Sequence, residues 1–462
     1  MKPERLSRRD FLKAGAGVAG LGLAALVGCK AAQPTPEPTA APQEEEPTEA
    51  PPAVEEKTIT FWGWSFRPDT VREFCDIFEE ENPEITIDYQ DFPWVDYSDK
   101  ILTALAAGSG PDAMYMHENF VSSWVPAGWV TPLDDFEGVA ELKEEFYPFV
   151  VESASVDGKL YGLGYYNGCR VWAYNTDYYE QAGIEAPPRT LAEHKEQCLA
   201  AQEAGLVEYG TIFSLKDQGA FWEWYAHLHG SGGHYIDEAT MEPLIPDKDP
   251  TFLKVLEWLV DATQTSKFND PAGIEMTTGE TRDVFEAGKA LQLSIQQYET
   301  KHIHDPEVSL VADKSETDMM PALEDTGEYG TLAYSNGYAV NSDSENPDEA
   351  FRLIYFLGGK NKAGEIYCAK RWFLEAGLGF GFPVLWDDPD INDEVSKWAD
   401  IDMMKQQKAA AYVREGVHAS WFAEWDSFMH RELQTAVLGQ KEPADAVQAI
   451  ADKWMELKEA AA

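Results

Sequence analysis

The sequence predicts an α/β fold organised as two lobes, and three observations point there. Short apolar, β-prone runs alternate with helical periodicity from residue 59 onward, the pattern of parallel strands covered by helices. The stretch 57–462 is longer than the roughly 250–300 residues that one core usually organises. Helix starts are marked by Asp-Pro or Asn-Pro before an apolar face, with glycine at the far end.

In chain order the first element is an export signal. Ser7-Arg8-Arg9-Asp10-Phe11-Leu12-Lys13 sets adjacent arginines before an apolar run at 14–28, the order of a twin-arginine signal. The run is 15 residues, short of the roughly 20 that span a bilayer as a helix, so it reads as a processed segment. It ends in Leu26-Val27-Gly28-Cys29, which resembles the lipobox of bacterial lipoproteins; that resemblance makes 1–29 a signal peptide ending at a lipidated Cys29. Residues 30–56 are nearly all Pro, Thr, Ala, Gln and Glu. Such a segment buries too little to fold, and its prolines favour an extended, semi-rigid stalk.

Folded structure is expected from 57. Ile59-Thr60-Phe61-Trp62 reads as a strand, and Val71, Phe74, Ile77 and Phe78 recur at helical spacing until Asn82-Pro83. Ile85-Thr86-Ile87-Asp88-Tyr89 alternates like a second strand, and a helix with Tyr97, Ile101 and Leu105 on one face follows, ending at Gly108. The turn Gly110-Pro111-Asp112 then leads into a third strand, Ala113-Met114-Tyr115-Met116. In parallel sheets ligands sit beyond the carboxyl ends of strands, which singles out the residues after Trp62 and Met116. Farther on, Asp249-Pro250 starts a helix through Phe252, Val255, Leu256 and Leu259, and Asn346-Pro347 starts another that stops at Gly358-Gly359.

Composition excludes some partners. With 82 acidic against 36 basic residues the formal charge is −46, which argues against nucleic acid or an anionic lipid surface, since both are bound by clustered Lys and Arg. After Cys29 the cysteines are Cys75, Cys169, Cys198 and Cys368, too few for a disulfide framework and spaced like no metal motif. One disulfide and buried free thiols both stay open. His227, His229 and His234 lack a metal-binding spacing, and no nucleophile elbow, phosphate loop or dinucleotide fingerprint occurs.

Several segments, in this order, resemble family 1 of the extracellular solute-binding proteins. They are 78–87 (Phe78-Glu79-Glu80-Glu81-Asn82-Pro83 into Ile85-Thr86-Ile87), 101–112, Ala127-Gly128-Trp129-Val130-Thr131-Pro132-Leu133-Asp134, and Asp157-Gly158-Lys159-Leu160-Tyr161-Gly162-Leu163. Tyr174-Asn175-Thr176-Asp177, Phe285-Glu286-Ala287-Gly288-Lys289-Ala290 and Gly337-Tyr338-Ala339-Val340 continue the series. The resemblance implies a two-lobed periplasmic-binding-protein fold of the type II kind, each lobe a mainly parallel sheet flanked by helices. The lobes would be 57–166 plus about 332–380, and about 167–331 plus about 381–462. It further implies a receptor without catalysis or cofactor that binds a carbohydrate, expected as an oligosaccharide, in the interlobe cleft. The receptor would act as a monomer at the cell surface or in the periplasm, tethered by Cys29, and serve the permease of an ABC transporter. A receptor for a glycerol phosphodiester and a secreted carbohydrate-active enzyme are the alternatives; the first needs clustered cations, and only Arg67 and Arg170 are cationic among the candidates.

A neutral sugar offers hydroxyls to bond and apolar faces to cover, so its site needs carboxylates, amides and aromatic planes together. Trp64 and Arg67 follow the first strand, and His117, Glu118 and Asn119 follow the third. Tyr166 and Asn167 stand where the resemblance puts a first crossing between lobes, and Asn336 at a second. In the other lobe the candidates are Trp222, taken from the cluster with Phe221 and Trp224, then Gln297 and Tyr298. The C-terminal part adds Trp386 and Trp425, with Trp421 as an alternative. No metal ligand is expected.

Overall fold

The computed structural model describes residues 56–216, 222–327 and 330–461. The export signal, Cys29 and the stalk up to 55 lie outside the described residues, as do Asp217, Gln218 and Phe221.

The N-terminal alternation forms as the periodicity dictates. Strand β1 (Lys57–Trp64) pairs in parallel with β2 (Ile85–Phe92) and with β3 (Ala113–Met116). Between them run α1 (Pro68–Glu81), which buries Val71, Phe74, Cys75 and Phe78, and α2 (Trp94–Ala106). Trp64 is the last residue of β1 rather than a loop residue beyond it. The predicted turn at Asp112 is fastened by three hydrogen bonds. Its carboxylate accepts from the backbone N–H and the hydroxyl of Thr60 at 2.8 and 2.7 Å and from Ser344 Oγ at 2.6 Å, so β1, β3 and the end of the crossing strand are locked in register.

Two long strands then pass through the middle of the molecule. Strand β4 (Leu163–Asn175) is buried at every one of its 13 residues, which is why it reads as a continuous run rather than an alternation. Its second half pairs with β5 (Gln292–Gln296) and β6 (Ser315–Asp318). Strand β7 (Thr331–Val340) pairs antiparallel with the first half of β4 and, through Gly337 to Val340, with β3. At its start it pairs in parallel with β8 (Ala411–Tyr412). The crossing strands run antiparallel because a chain that leaves one lobe and later returns must traverse the boundary in opposite directions.

The buried apolar residues group into two large cores. One gathers β1 to β3, α1, the buried residues between Phe373 and Met404, and others from Phe285 to Met319; the other gathers Trp172, Trp224, Phe252, Leu256 and the residues from Val417 to Leu457. The helices marked by Asp249-Pro250 and Asn346-Pro347 span Thr251–Val260 and Pro347–Gly358, with the predicted residues on their buried faces. Cys75, Cys169, Cys198 and Cys368 are all buried and free, which closes the disulfide alternative. None of the described helices is long and apolar enough to cross a membrane.

The second core holds a fully buried histidine. His194 packs among Trp172, Trp258, Phe268 and Phe213 at ring distances of 4.7 to 6.3 Å, and neither ring nitrogen has a hydrogen-bond partner. Burial, and then the neighbouring His227, hold its pKa well below 6.5. The folded protein therefore keeps His194 neutral while the unfolded chain takes up a proton below pH 6.5, so stability falls as pH drops through that value. Acidification from pH 7 to 5 is expected to lower the stability of the wild type relative to His194→Leu by up to about 1.4 kcal/mol per pH unit below 6.5. Parallel pH profiles of the two proteins in denaturant titration would contradict this.

Candidate ligand-binding cleft

The site is built where strands end and cross. At the carboxyl end of β3 the chain turns at His117 into α3 (Glu118–Trp124), and His117 Nδ1 accepts the Asn119 backbone N–H at 3.1 Å. That bond caps the short helix and fixes the imidazole as an acceptor. Burial, and then the charge of Arg414, keep its pKa well below the ordinary histidine range, consistent with a neutral ring.

Glu118 is the polar centre of this end. Its backbone N–H reaches Asn336 Oδ1 at 3.3 Å, one carboxylate oxygen accepts the Ser335 N–H at 2.9 Å, and the other accepts from Arg414 Nη2 at 2.9 Å. Burial raises its pKa, and the Arg414 charge and hydrogen bonds work against that rise. Asn167 joins from β4, donating to Ser335 Oγ at 2.6 Å. The pairing of β4 with β7 shifts register between Asn336 and Gly337, a bulge that falls among these residues. Gly337 is required here, because a Cβ would lie 2.6 Å from the Leu163 carbonyl oxygen.

On the other side lies a run of aromatic rings. Trp222, the first residue of α4 (Trp222–Gly230), stacks on Tyr334 of β7 with centroids 5.9 Å apart and planes 16° apart. Tyr334 meets Tyr166 at 5.1 Å, and Tyr166 meets Tyr298 edge-on at 5.6 Å. Gly168 gives Tyr334 room, since a Cβ there would sit 2.5 Å from its ring. The Gln297 backbone N–H donates to the Tyr334 hydroxyl at 2.9 Å, yet both side-chain amide atoms of Gln297 are buried without a partner. Trp222 and Tyr298 are only partly buried. At the outer rim Trp64 meets Trp94 at 6.0 Å, and Trp94 meets His117 at 5.2 Å.

Thus one connected cluster brings together Trp64, His117, Glu118, Asn119, Tyr166, Asn167, Trp222, Gln297, Tyr298 and Asn336. Three expected residues fall elsewhere. Arg67 is the exposed residue before α1, held at φ 46° where Pro68 begins the helix, and its exposure directs it to solvent. Trp386 is a core residue: its indole N–H donates to the Tyr147 hydroxyl at 2.7 Å, and its ring packs on Phe380 at 4.9 Å. Trp425 is fully buried, donating to the Ile450 carbonyl at 3.0 Å and packed on Tyr235 and Trp454, because its helix turns that face toward the last helix. Trp421 also packs on Trp454, at 5.7 Å. Arg170 is committed as well, with Nε and Nη2 donating to the hydroxyl and carbonyl of Ser294 at 2.7 Å.

Sequence reasoning missed Arg414, Tyr334 and Trp94. Trp94 had a signal, since Pro93-Trp94 directly follows a strand, and Tyr334 adjoins Ser335. Arg414 had none, because its partner Glu118 is 296 residues away.

In this structure the cleft is shut. Its two sides touch through the buried contact between Arg414 and Glu118, 2.9 Å apart. Large cavities lie elsewhere: one of about 640 Å³ by Tyr174, Asp318 and Trp398, and one of about 900 Å³ by His229, Lys254 and Tyr412. Neither is lined by a member of the cluster. They lack its combination of partly buried aromatic residues with an unpaired buried amide. No group of metal-ligating residues occurs among the described residues; His227 bonds the Pro321 carbonyl at 3.0 Å, and His234 pairs with Glu415.

Trp425→Ala is expected to lower stability by about 3–5 kcal/mol, as for other buried tryptophans, without entering ligand recognition. Unfolding by denaturant checks this; a stability change below about 1 kcal/mol would contradict the core placement.

Comparison with known proteins gives the fold and the family. The chain is similar to the maltotriose-binding protein of Pyrococcus abyssi, 22% identical over 354 residues that make up 73% of this chain and 69% of that one. In fold it resembles the maltose-bound MalE3 of T. maritima, with a TM-score of 0.72 and 20% identity, covering 87% of this chain and all of that one. It likewise resembles Lmo0181 of Listeria monocytogenes, solved with cycloalternan, at a TM-score of 0.71 and 19% identity over 88% of this chain and 100% of the other. Residues 64–362, well over half of the sequence, match the family described as bacterial extracellular solute-binding protein, and the chain belongs to that family.

Proposed function

We propose that this chain is the receptor of an ABC importer and captures an uncharged carbohydrate, most naturally an oligosaccharide, in the cleft. The observation that carries the reading is the pairing of partly buried aromatic residues, Trp222 and Tyr298, with the unpaired buried amide of Gln297. Aromatic planes cover the C–H faces of a sugar, and an amide donates to one hydroxyl while accepting from another. The relatives named above, which bind maltotriose, maltose and cycloalternan, support the same class of ligand.

Charge disfavours a phosphodiester. Arg67 is outside the cluster, Arg170 is bound to Ser294, and Arg414 already faces the carboxylates of Glu118 and Asp426. An anion would have to compete with those carboxylates for Arg414. The reading is of binding without turnover, and it is supported by the way both Glu118 oxygens are already occupied as acceptors. We place the first lobe at 57–166 plus about 332–380 and the second at about 167–331 plus about 381–462. The protein acts as a monomer, exported by its twin-arginine signal and held at the outer face of the cytoplasmic membrane by lipid on Cys29.

Neutral oligosaccharides are expected to raise the unfolding temperature of residues 56–462, since ligand bound only to the native state stabilises it. Trp222→Ala and Tyr298→Ala should each weaken binding at least tenfold in calorimetry, in line with the roughly 1–3 kcal/mol of one stacked aromatic. Full affinity in both variants would put the site elsewhere. Cys29→Ser should release the full-length protein from membranes without changing its folding, because anchoring depends on the acyl chains; a mutant that still sediments with membranes in high salt would contradict the tether.

A further inference from the structure

Arg414 sits on a turn that is anchored wholly in the second lobe. Its neighbour Glu415 accepts the backbone N–H groups of Tyr235 and Ile236 at 2.7 and 2.9 Å, and the Tyr235 hydroxyl donates to the Glu415 carbonyl at 2.8 Å. The guanidinium lies over the rings of Phe422 and Trp222, at 5.2 and 5.9 Å, and Nη1 stands 3.6 Å from Asp426. From that base Nη2 reaches across to α3 of the first lobe, 2.9 Å from Glu118 and 2.5 Å from Asn119 Oδ1. The Arg414 side chain is 2% exposed and that of Glu118 4%.

From this geometry we infer that Arg414 is an interlobe latch, a positioning residue that makes closure of the cleft compatible with its two buried carboxylates. In an open molecule water would solvate Glu118 apart from Arg414, which would stay beside Asp426 in its own lobe. Closure removes that water, and a buried charge left without its partner is strongly destabilising, whereas a paired one is close to neutral. Without the guanidinium, closing would bring Glu118 and Asp426 together as like charges in a dry site. The latch therefore acts on the closed state, and it needs no ligand to do so. A second cross-lobe contact, His418 Nε2 to the Glu152 carbonyl at 3.0 Å, is neutral on the Glu152 side and carries no such penalty.

The inference rests on the two-lobed closure in the proposed function, but its test uses no sugar, so the two fail separately. Ligand-free protein is compared by small-angle scattering, with circular dichroism as the check on folding. Arg414→Gln should be folded and show a larger radius of gyration than wild type. Adding Glu118→Gln to it should restore part of the compactness, because the uncompensated carboxylate is gone; loss of a merely structural contact would not be repaired by a second loss. Arg414→Lys, which keeps the charge but lacks the fork, should expand less, and it serves as the test if Arg414→Gln does not fold. A wild-type radius in the folded variant, or an expansion that Glu118→Gln leaves untouched, would overturn the latch.

Discussion

The antiparallel pairing of β4 with β7 is the constraint on which the rest of the molecule depends. Each of these strands is buried along its whole length, and each contributes one half to either lobe. Because their backbone groups are satisfied by one another, the chain can pass between two cores without leaving unpaired polar groups at the boundary. The same pairing positions the proposed ligand site. Asn167, Tyr166, Tyr334, Ser335 and Asn336 all lie on these strands near the register shift, so the cluster is assembled from residues whose positions are set by the crossing itself. Helices then bring in what the strands lack: α3 presents Glu118, and α4 presents Trp222.

Local charge in the cleft differs from the charge of the whole. The chain is strongly acidic, at −46, yet the cluster is organised around a single guanidinium shared between two carboxylates. Burial works against the charge of Arg414, and Glu118 and Asp426 more than offset it, holding its pKa above the ordinary value. What remains for a ligand is an amide, aromatic faces and no free cation among the cluster residues, a surface suited to hydroxyls and C–H groups. The acidic exterior serves another end, since high net charge keeps a protein soluble and apart from polyanions.

Much of the fold was legible because local signals and packing agree in the N-terminal half. The strands from Ile59, Ile85 and Ala113, and the helices ended by Asn82-Pro83 and Gly108, obey periodicities of 2 and 3.6 that survive into the structure. The cleft was legible to the extent that it follows from strand ends, hence His117, Glu118 and Asn119. Trp386 and Trp425 show the limit of that reasoning. A tryptophan looks the same in sequence whether it faces a core or a cleft; Trp386 is settled by Tyr147 and Phe380, and Trp425 by the placement of the last helix. Arg414 illustrates the opposite failure, a residue whose role exists solely through a partner distant in sequence.

The central claim is that the ligand of this chain is an uncharged sugar enclosed where β4 and β7 cross. A crystal structure of residues 56–462 grown with a neutral oligosaccharide that raises the unfolding temperature tests it most directly. The account predicts sugar rings against Trp222 and Tyr298, with a hydroxyl bonded to the Gln297 amide. Sugar bound instead in the cavity beside Tyr174 and Trp398, or in the one beside His229 and Tyr412, with the crossing-strand cluster unchanged, would contradict it.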